Sequence, residues 1–297
     1  MSDLIAYLED KFLASNLKIS DTSAEQYRIS VRLLNRYYKQ PVKLTDLSDS
    51  LVIRFMKWLK SLGRSERTAN NKRQAVLTLW RHAAEVNKLI PAPPRIPKFT
   101  EPVRIVQAWT VDQVAELICA SDHAEPIVVG DQVWDKRHWK ALILTIYDTS
   151  HRIGALLDAT RDSVDFANRS ILLKAEWTKQ KSDTWHQLHP ETLASIAAMP
   201  KSDSPLLFPF PLRRRAIWPA LRAILKAAKL RTTRKDLFHK LRRTSFTYTF
   251  ALLGEQAALE QAGHATNMTS SYLDRQLLRS LQKRPSPVDV LPRPRAG

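Results

Sequence analysis

Between residues 91 and 102 the chain reads "PAPPRIPKFTEP", with prolines at 91, 93, 94, 97 and 102. Proline has no N–H to give and fixes its own φ, so this stretch fits neither a helix nor a strand. It reads as a stiff linker dividing a chain of 297 residues, which is long enough for two ordinary domains. The residues before it repeat at helical spacing throughout, and those after it change period. The expected organisation is a helical domain over 1–90, a linker over 91–106 and a second domain over 107–297.

Four helices are expected before the prolines. Ser2 can cap the first, with Leu4, Ile5, Leu8 and Phe12 on one face. Thr22 and Glu25 have capping-box spacing for a second that carries Tyr27, Val31, Leu34 and Tyr38. A third presents Leu51, Val52, Phe55, Met56 and Leu59 and stops at Gly63. The fourth, "SERTANNKRQAVLTLWRHAAEVNKL", puts Thr68, Ala75, Val76, Leu79, Trp80 and Ala83 on one side. Arg67, Asn70, Asn71 and Arg73 cluster near its start. They form either a solvated face or a surface for a polyanion.

Thr110 is placed to cap the first helix of the second domain. "DKRHWKALILTIYDTSHRIGALLDAT" is helical with a break near Ser150. Over 163–189 the runs "SVDF", "SILLKAE" and "TWHQLHP" are strand-like, separated by turn-like "ANR" and "TKQKSD". They predict a three-stranded antiparallel sheet, with Lys179 and Lys181 near its second turn. Helices resume at "ETLASIAAM" and "RAIWPALRAILKAAKL", then at "FHKLRRTSFTYTF" and "EQAALEQAGH". A last one carries Leu273, Leu277, Leu278 and Leu281. The residues after it read as a tail. The fold class expected is mainly α with a small antiparallel β-sheet.

Composition narrows the partner. Lys and Arg number 47 against 29 Asp and Glu, a net charge of +18 spread along the chain. That excess is more than solubility needs and favours nucleic acid over an anionic membrane. The single cysteine, Cys119, excludes an intramolecular disulfide and a thiol-rich metal site, and fits a reducing cytoplasmic setting. No apolar run approaches the ~20 residues of a membrane span. The start of the chain lacks a signal peptide's order. With 6 glycines there is no phosphate-cradling loop, and neither a nucleophile elbow nor an acidic metal constellation stands out.

What stands out is cationic and tyrosyl. Arg152 ends an apolar helix. His239 and Arg242, three apart, share a helix face. His264 follows the helix-ending Gly263, and Tyr272 lies on the next helix. Cations, a histidine and a tyrosine in this order suit phosphoryl transfer without metal. Two arginines can clamp the charge of a five-coordinate phosphorus. A tyrosine, with a phenol pKa of ~10, becomes a nucleophile when cations favour the phenolate and a histidine takes the proton. A lysine can protonate the departing oxygen. Tyr7, Tyr27, Tyr37, Tyr38 and Tyr147 sit on apolar faces, which leaves Tyr248 as the rival of Tyr272.

"HKLRRT" followed by "AGHATNMTSSYLD" resembles the C-terminal signature of the tyrosine recombinases, or phage integrases. "DTSHRIGALLDAT" is similar to that family's first arginine stretch and "TKQKSD" to its lysine hairpin. The N-terminal bundle is similar to its SAM-like core-binding domain. The resemblance implies that Arg152, Lys179, His239, Arg242, His264 and Tyr272 form the catalytic set, with Lys181 as second choice for the lysine. Three features depart from the pattern. Ala155 stands where an acidic residue is usual, Ser150–His151 replaces glycine–leucine, and the spacing from His264 to Tyr272 is one residue short.

The implied activity is site-specific recombination of double-stranded DNA by a homo-tetramer. It runs through a 3′-phosphotyrosyl link and a Holliday junction, with no metal, cofactor or ATP. Arg67, Asn70, Asn71 and Arg73 become candidate DNA contacts. The leucine stripe 273–281 is expected either to dock on a neighbouring protomer or to pack within its own chain. A type IB topoisomerase and a DNA-binding protein with a degenerate site remain the alternatives.

Overall fold

The computed structural model describes residues 3–102, 105–233, 236–263 and 272–281. The chain is mainly α, with two small antiparallel sheets among the described residues, and divides into two units, Met1–Arg104 and Ile105–Gly297.

In the first unit, short polar residues with extended backbone start each helix. The Asp3 carboxylate accepts from Ala6 N at 2.7 Å and opens α1, Leu4–Tyr7, which runs on as a π-helical stretch, Leu8–Leu13. Ser20, Ser48 and Ser65 cap α2 (Asp21–Tyr38), α3 (Asp49–Ser61) and α4 (Glu66–Glu85). The caps expected at the first two helices are therefore displaced. Asp3 does the work at α1, and Ser2 lies outside the described residues. Thr22 already sits inside the first turn of α2, while Glu25 turns outward to Arg28 and Arg32. The apolar faces converge on Leu4, Leu8, Val31, Leu34, Val52, Phe55, Val76 and Leu79, all essentially shielded from water.

The proline stretch packs onto this unit. Ile96 enters its core and Phe99 lies against it. Proline-rich chain makes no ladder of its own, so its carbonyls need side-chain donors. Trp80 Nε1 donates to Pro91 O at 2.8 Å, Arg73 to Ile96 O, and Asn70 Nδ2 to Phe99 O at 2.9 Å. The division between units falls after Arg104, at the far end of this fastened segment.

The second unit opens with α5, Val111–Ser121, closed by a reciprocal Thr110–Gln113 capping box. Next comes a hairpin absent from the sequence-based expectation: β1 (Ile127–Val129) and β2 (Gln132–Trp134), turning at Gly130 with φ 57°. The helices α6 (Lys136–Thr149) and α7 (Ile153–Asp158) follow. Then β3 (Val164–Asp165), β4 (Ser170–Leu173) and β5 (Thr184–Gln187) form an antiparallel sheet in sequential order. Its register sets Ile171 opposite His186.

Helices α8 (Pro190–Ala197) and α9 (Ile217–Ala227) lead to α10, Phe238–Gln261, which is broken at Gly254 with φ 88°. The last described helix is α11, Arg275–Leu281. The main core joins Trp109, Trp139, Leu142, Ile146, Ile171 and Leu241. A smaller cluster holds Phe246, Ala258, Ala262, Tyr272 and Leu273, with Phe250 and Leu278 packed against it. Leu273 and Leu278 thus pack within their own chain, while Leu281 is exposed. The tail expected after residue 281 lies outside the described residues.

Candidate active site

The site begins at the elbow between α6 and α7. Ser150 takes the left-handed conformation there, φ 51°, which ends α6 and turns the chain. Its hydroxyl donates to Ser245 Oγ at 2.7 Å, and Ser245 donates to Tyr147 O, so the elbow is pinned to α10. Two residues on, Arg152 starts α7 and is half-buried. Its Nη1 donates to Gln180 Oε1 at 3.4 Å. Ala155 is buried, and the described partner of Arg152 is this glutamine, on the β4–β5 hairpin. Lys179 and Lys181, on either side of Gln180, are exposed, and Lys181 is left-handed with φ 56°.

Helix α10 supplies the centre. Arg242 is 1% exposed, a severe burial for a guanidinium. Its Nη2 donates to Ala262 O at 2.8 Å. The guanidinium carbon lies 5.0 Å from the centroid of the Tyr272 ring, and the two side chains are hydrogen-bonded. Burial pulls the Arg242 pKa down to about 10. Tyr272 works against that shift, and the Arg152 charge adds to it. The arginine remains a cation at neutral pH.

Tyr272 itself is buried, wedged between rings. His239 meets it edge-on at 5.2 Å, and Phe246 backs it at 5.7 Å. His239 is exposed as a residue, yet its imidazole is crowded on the protein side. Desolvation, then the charges of Arg243, Arg242 and Arg152, bring its pKa to about 4, so the ring is neutral at physiological pH. Arg152, His239, Arg242 and Tyr272 therefore act on one another electrostatically, while Lys179 stands at the exposed rim beside Gln180. His264 lies outside the described residues.

The other tyrosines of this unit are engaged elsewhere. Burial, then Tyr248 and Asp148, push the Tyr147 phenol up to about 12. Tyr248 Oη accepts from Val111 N at 3.1 Å. Two further charges of α10 are drawn in from the surface. Lys240 is 7% exposed, pairs with Asp236 Oδ1 at 3.1 Å and lies over the Trp109 ring. Its four-carbon stem fills the space between α10 and the start of the unit, which leaves the ammonium inside. Arg243 is half-buried, and its charge reaches Tyr272.

Two functional candidates escape a reading by sequence. His151, just before Arg152, and His186, on β5, are both buried with ring centroids 4.5 Å apart. Desolvation and neighbouring charge lower His151 to about 3 and His186 to about 4. The available signals were the histidine next to the arginine and the inward parity of His186 on its strand.

In the first unit, Arg67 and Asn71 are exposed on the opening turns of α4. Asn70 is not a surface group. Its amide holds Phe99 O and Glu101 Oε1, and its carbonyl accepts from Phe99 N, all at 2.9 Å. Arg73 is likewise turned onto the proline stretch, half-buried, with burial lowering its pKa. Asn70 and Arg73, read from sequence as a solvated face or candidate DNA contacts, hold the backbone of the proline-rich segment in this structure.

Among the described residues no group of three His, Cys, Asp or Glu is arranged to hold a metal ion, and no helix is long and apolar enough to cross a membrane.

This fold is similar to that of solved integrases, and the first unit carries a domain of phage-integrase type. Residues 3–96 match the phage integrase SAM-like domain. Over 185 residues the chain is 24% identical to a protein of Pseudomonas aeruginosa described as a tyrosine recombinase XerC. That match covers 58% of this chain and 41% of the relative, so the chain spans about two-fifths of the curated relative's length. Among solved structures, a lambda integrase dimer bound to a core site superposes with a TM-score of 0.70 at 16% identity, covering 92% of this chain and 96% of that one. A lambda integrase tetramer bound to a Holliday junction gives 0.69 at 16% identity, covering 91% and 76%.

Proposed function

We propose that the chain is a site-specific DNA recombinase whose nucleophile is Tyr272. The observation that carries this reading is the Tyr272 phenol, buried against the Arg242 guanidinium at 5.0 Å and the His239 ring at 5.2 Å. A cation over the ring face stabilises any tyrosine; a guanidinium that also hydrogen-bonds the tyrosine side chain favours the phenolate as well.

The chemistry follows from the groups. His239, neutral at pH 7, can accept the phenol proton. The phenolate oxygen attacks phosphorus, one P–O bond forms, and the bond to the 5′-oxygen breaks. Arg152 and Arg242 meet the charge that builds on the two non-bridging oxygens. Lys179, at the rim of the site, gives a proton to the departing 5′-oxygen. The product is a 3′-phosphotyrosyl link and a free 5′-hydroxyl, and attack by a 5′-hydroxyl from a second duplex reverses the step. The phosphodiester energy is kept in the link, so the cycle needs neither ATP nor metal. Two duplexes and four strands require four active sites, hence a homo-tetramer passing through a Holliday junction. The setting is cytoplasmic, since a single cysteine suits a reducing compartment. His264 completes the set as a second proton-handling group, and Arg67 and Asn71 contact the DNA backbone.

A nicked suicide duplex carrying the recombination site tests the reading. The wild-type chain should leave a protein–DNA adduct on a denaturing gel, in the presence of EDTA, and Tyr272→Phe should leave none. An adduct with Tyr272→Phe would show a different nucleophile, and loss of the wild-type adduct in EDTA would point to a metal nuclease.

A further inference from the structure

We propose that His151 and His186 form a positioning element: two neutral imidazoles, packed edge to face, that hold the lysine hairpin and the turn after α10 against the two arginines. Its effect on catalysis rests on the recombinase reading.

Four pieces of the site meet at this pair. His151 directly precedes Arg152. His186 lies on β5, the strand that closes the hairpin bearing Lys179 and Gln180, and Gln180 in turn contacts Arg152. The rings are 4.5 Å apart at 65°. On the other side of His151 is Gly263, φ 60°, where an added Cβ would stand 3.2 Å from the imidazole Cε1. Arg242 holds the carbonyl of Ala262, the residue before that glycine, at 2.8 Å. The glycine is thus favoured both by its positive φ and by the closeness of the histidine.

The imidazoles are held in set orientations. His151 Nδ1 is 3.2 Å from Thr149 O, which can only accept, so Nδ1 carries the hydrogen and fixes the ring plane. His186 Nε2 is 2.9 Å from Thr184 Oγ1. Two aliphatic side chains could fill the same volume but would not lock an angle between the elbow and the strand. Burial above all, then the charges of His186 and the arginines on His151 and of Arg242 on His186, brings their pKa values to about 3 and about 4. The pair occupies the interior as an apolar contact would and keeps the directionality of a hydrogen-bonded one.

The test uses the full chain and the suicide duplex. His151→Leu should slow adduct formation by ~10- to 100-fold, since misplacing reacting groups by about 1 Å costs that much. DNA affinity should stay within about threefold and the melting temperature within about 3 °C. His151→Asn, which keeps an N–H for Thr149 O, should recover most of the rate. Because the two rings act as a unit, the double variant with His186→Leu should be no slower than the slower single one. A His151→Leu rate within about twofold of wild type overturns the proposal. So does a fall in affinity and melting temperature that matches the fall in rate, which would mean packing alone. If the wild-type chain forms no adduct, the recombinase reading fails. The pair is then judged by the Nε–H resonance of Arg242 in ¹⁵N spectra: a shift or broadening in His151→Leu supports positioning, and an unmoved resonance overturns it.

Discussion

In the first unit, Asn70, Trp80 and Arg73 bury polar atoms to hold carbonyls of the proline stretch, and Asn87 and His82 close on the Tyr7 hydroxyl at 2.7 and 2.6 Å. In the second, Arg242 and His151 also reach carbonyls, those of Ala262 and Thr149, but Arg242, His151 and His186 lie besides against one another or Tyr272. The further partners make the difference. A carbonyl satisfies a donor and ends the matter, so burial in the first unit fastens chain to chain. A guanidinium set against imidazoles and a phenol brings a cation, proton acceptors and a nucleophile together, so burial in the second unit groups reactive side chains. The same desolvation cost supports stability in one region and chemistry in the other.

That contrast predicts opposite signatures for the two most telling substitutions. Arg242→Lys keeps the charge and loses the planar fork, and adduct formation should drop by ~10²- to 10³-fold with DNA binding much less affected. Asn70→Ala removes three hydrogen bonds and orphans Phe99 N. It should cost the first unit about 2–3 kcal/mol in urea unfolding while leaving the adduct rate per bound complex unchanged. If Asn70→Ala slows the chemistry and leaves stability alone, the division of labour drawn here is wrong.

The features the sequence makes legible are those that repeat or that stand in order. The faces of α3 and α4 follow from the spacing of Leu51, Phe55 and Leu59 and of Val76, Leu79 and Ala83. The order Arg152, His239, Arg242, Tyr272 points to one site although 120 positions separate its ends. The β1–β2 hairpin escaped notice because Val128 and Val133 face solvent and give no buried alternation. Asn70 and Arg73 looked like surface groups because their partners are backbone carbonyls twenty-odd residues away, which no side-chain pattern reports. His151 and His186 are hidden for a related reason: a neutral histidine packs like an apolar residue, and its pairing is fixed only by the strand register.

The buried histidines also give the second unit a pH signature. Their folded pKa values of about 3 and about 4 lie below the ~6.5 of an unfolded chain. Between those limits the unfolded state binds protons that the folded state refuses, so stability falls as pH drops from about 6.5 toward 3 and the contribution of this pair levels below. His138, lowered by burial, acts in the same direction; Asp148, raised by burial, takes up a proton in the folded state and offsets part of the loss. Urea unfolding of wild type and His186→Phe at a series of pH values should show the variant's slope in this window smaller by about one proton. Equal slopes would mean that His186 is not held neutral.

The smallest effect concerns backbone shared by both units. Lys39, Lys88, Arg169, Lys181 and Lys229 all adopt positive φ, between 50° and 64°, in a chain with only 6 glycines. A side chain there carries strain that glycine lacks, so Lys39→Gly, at the end of α2, should stabilise the first unit by about 0.5–1 kcal/mol. Lys181→Gly relieves the same strain and should give a similar gain in the second unit, but it also removes a cation from the hairpin beside Lys179. Its DNA affinity should fall, and the salt dependence should weaken by about one counterion. A positively charged residue held in a strained conformation where glycine would be easier is then explained by the phosphate it meets. If Lys181→Gly binds DNA with unchanged affinity and salt dependence, the hairpin charge serves only the solvent, and Lys179 must do its work alone.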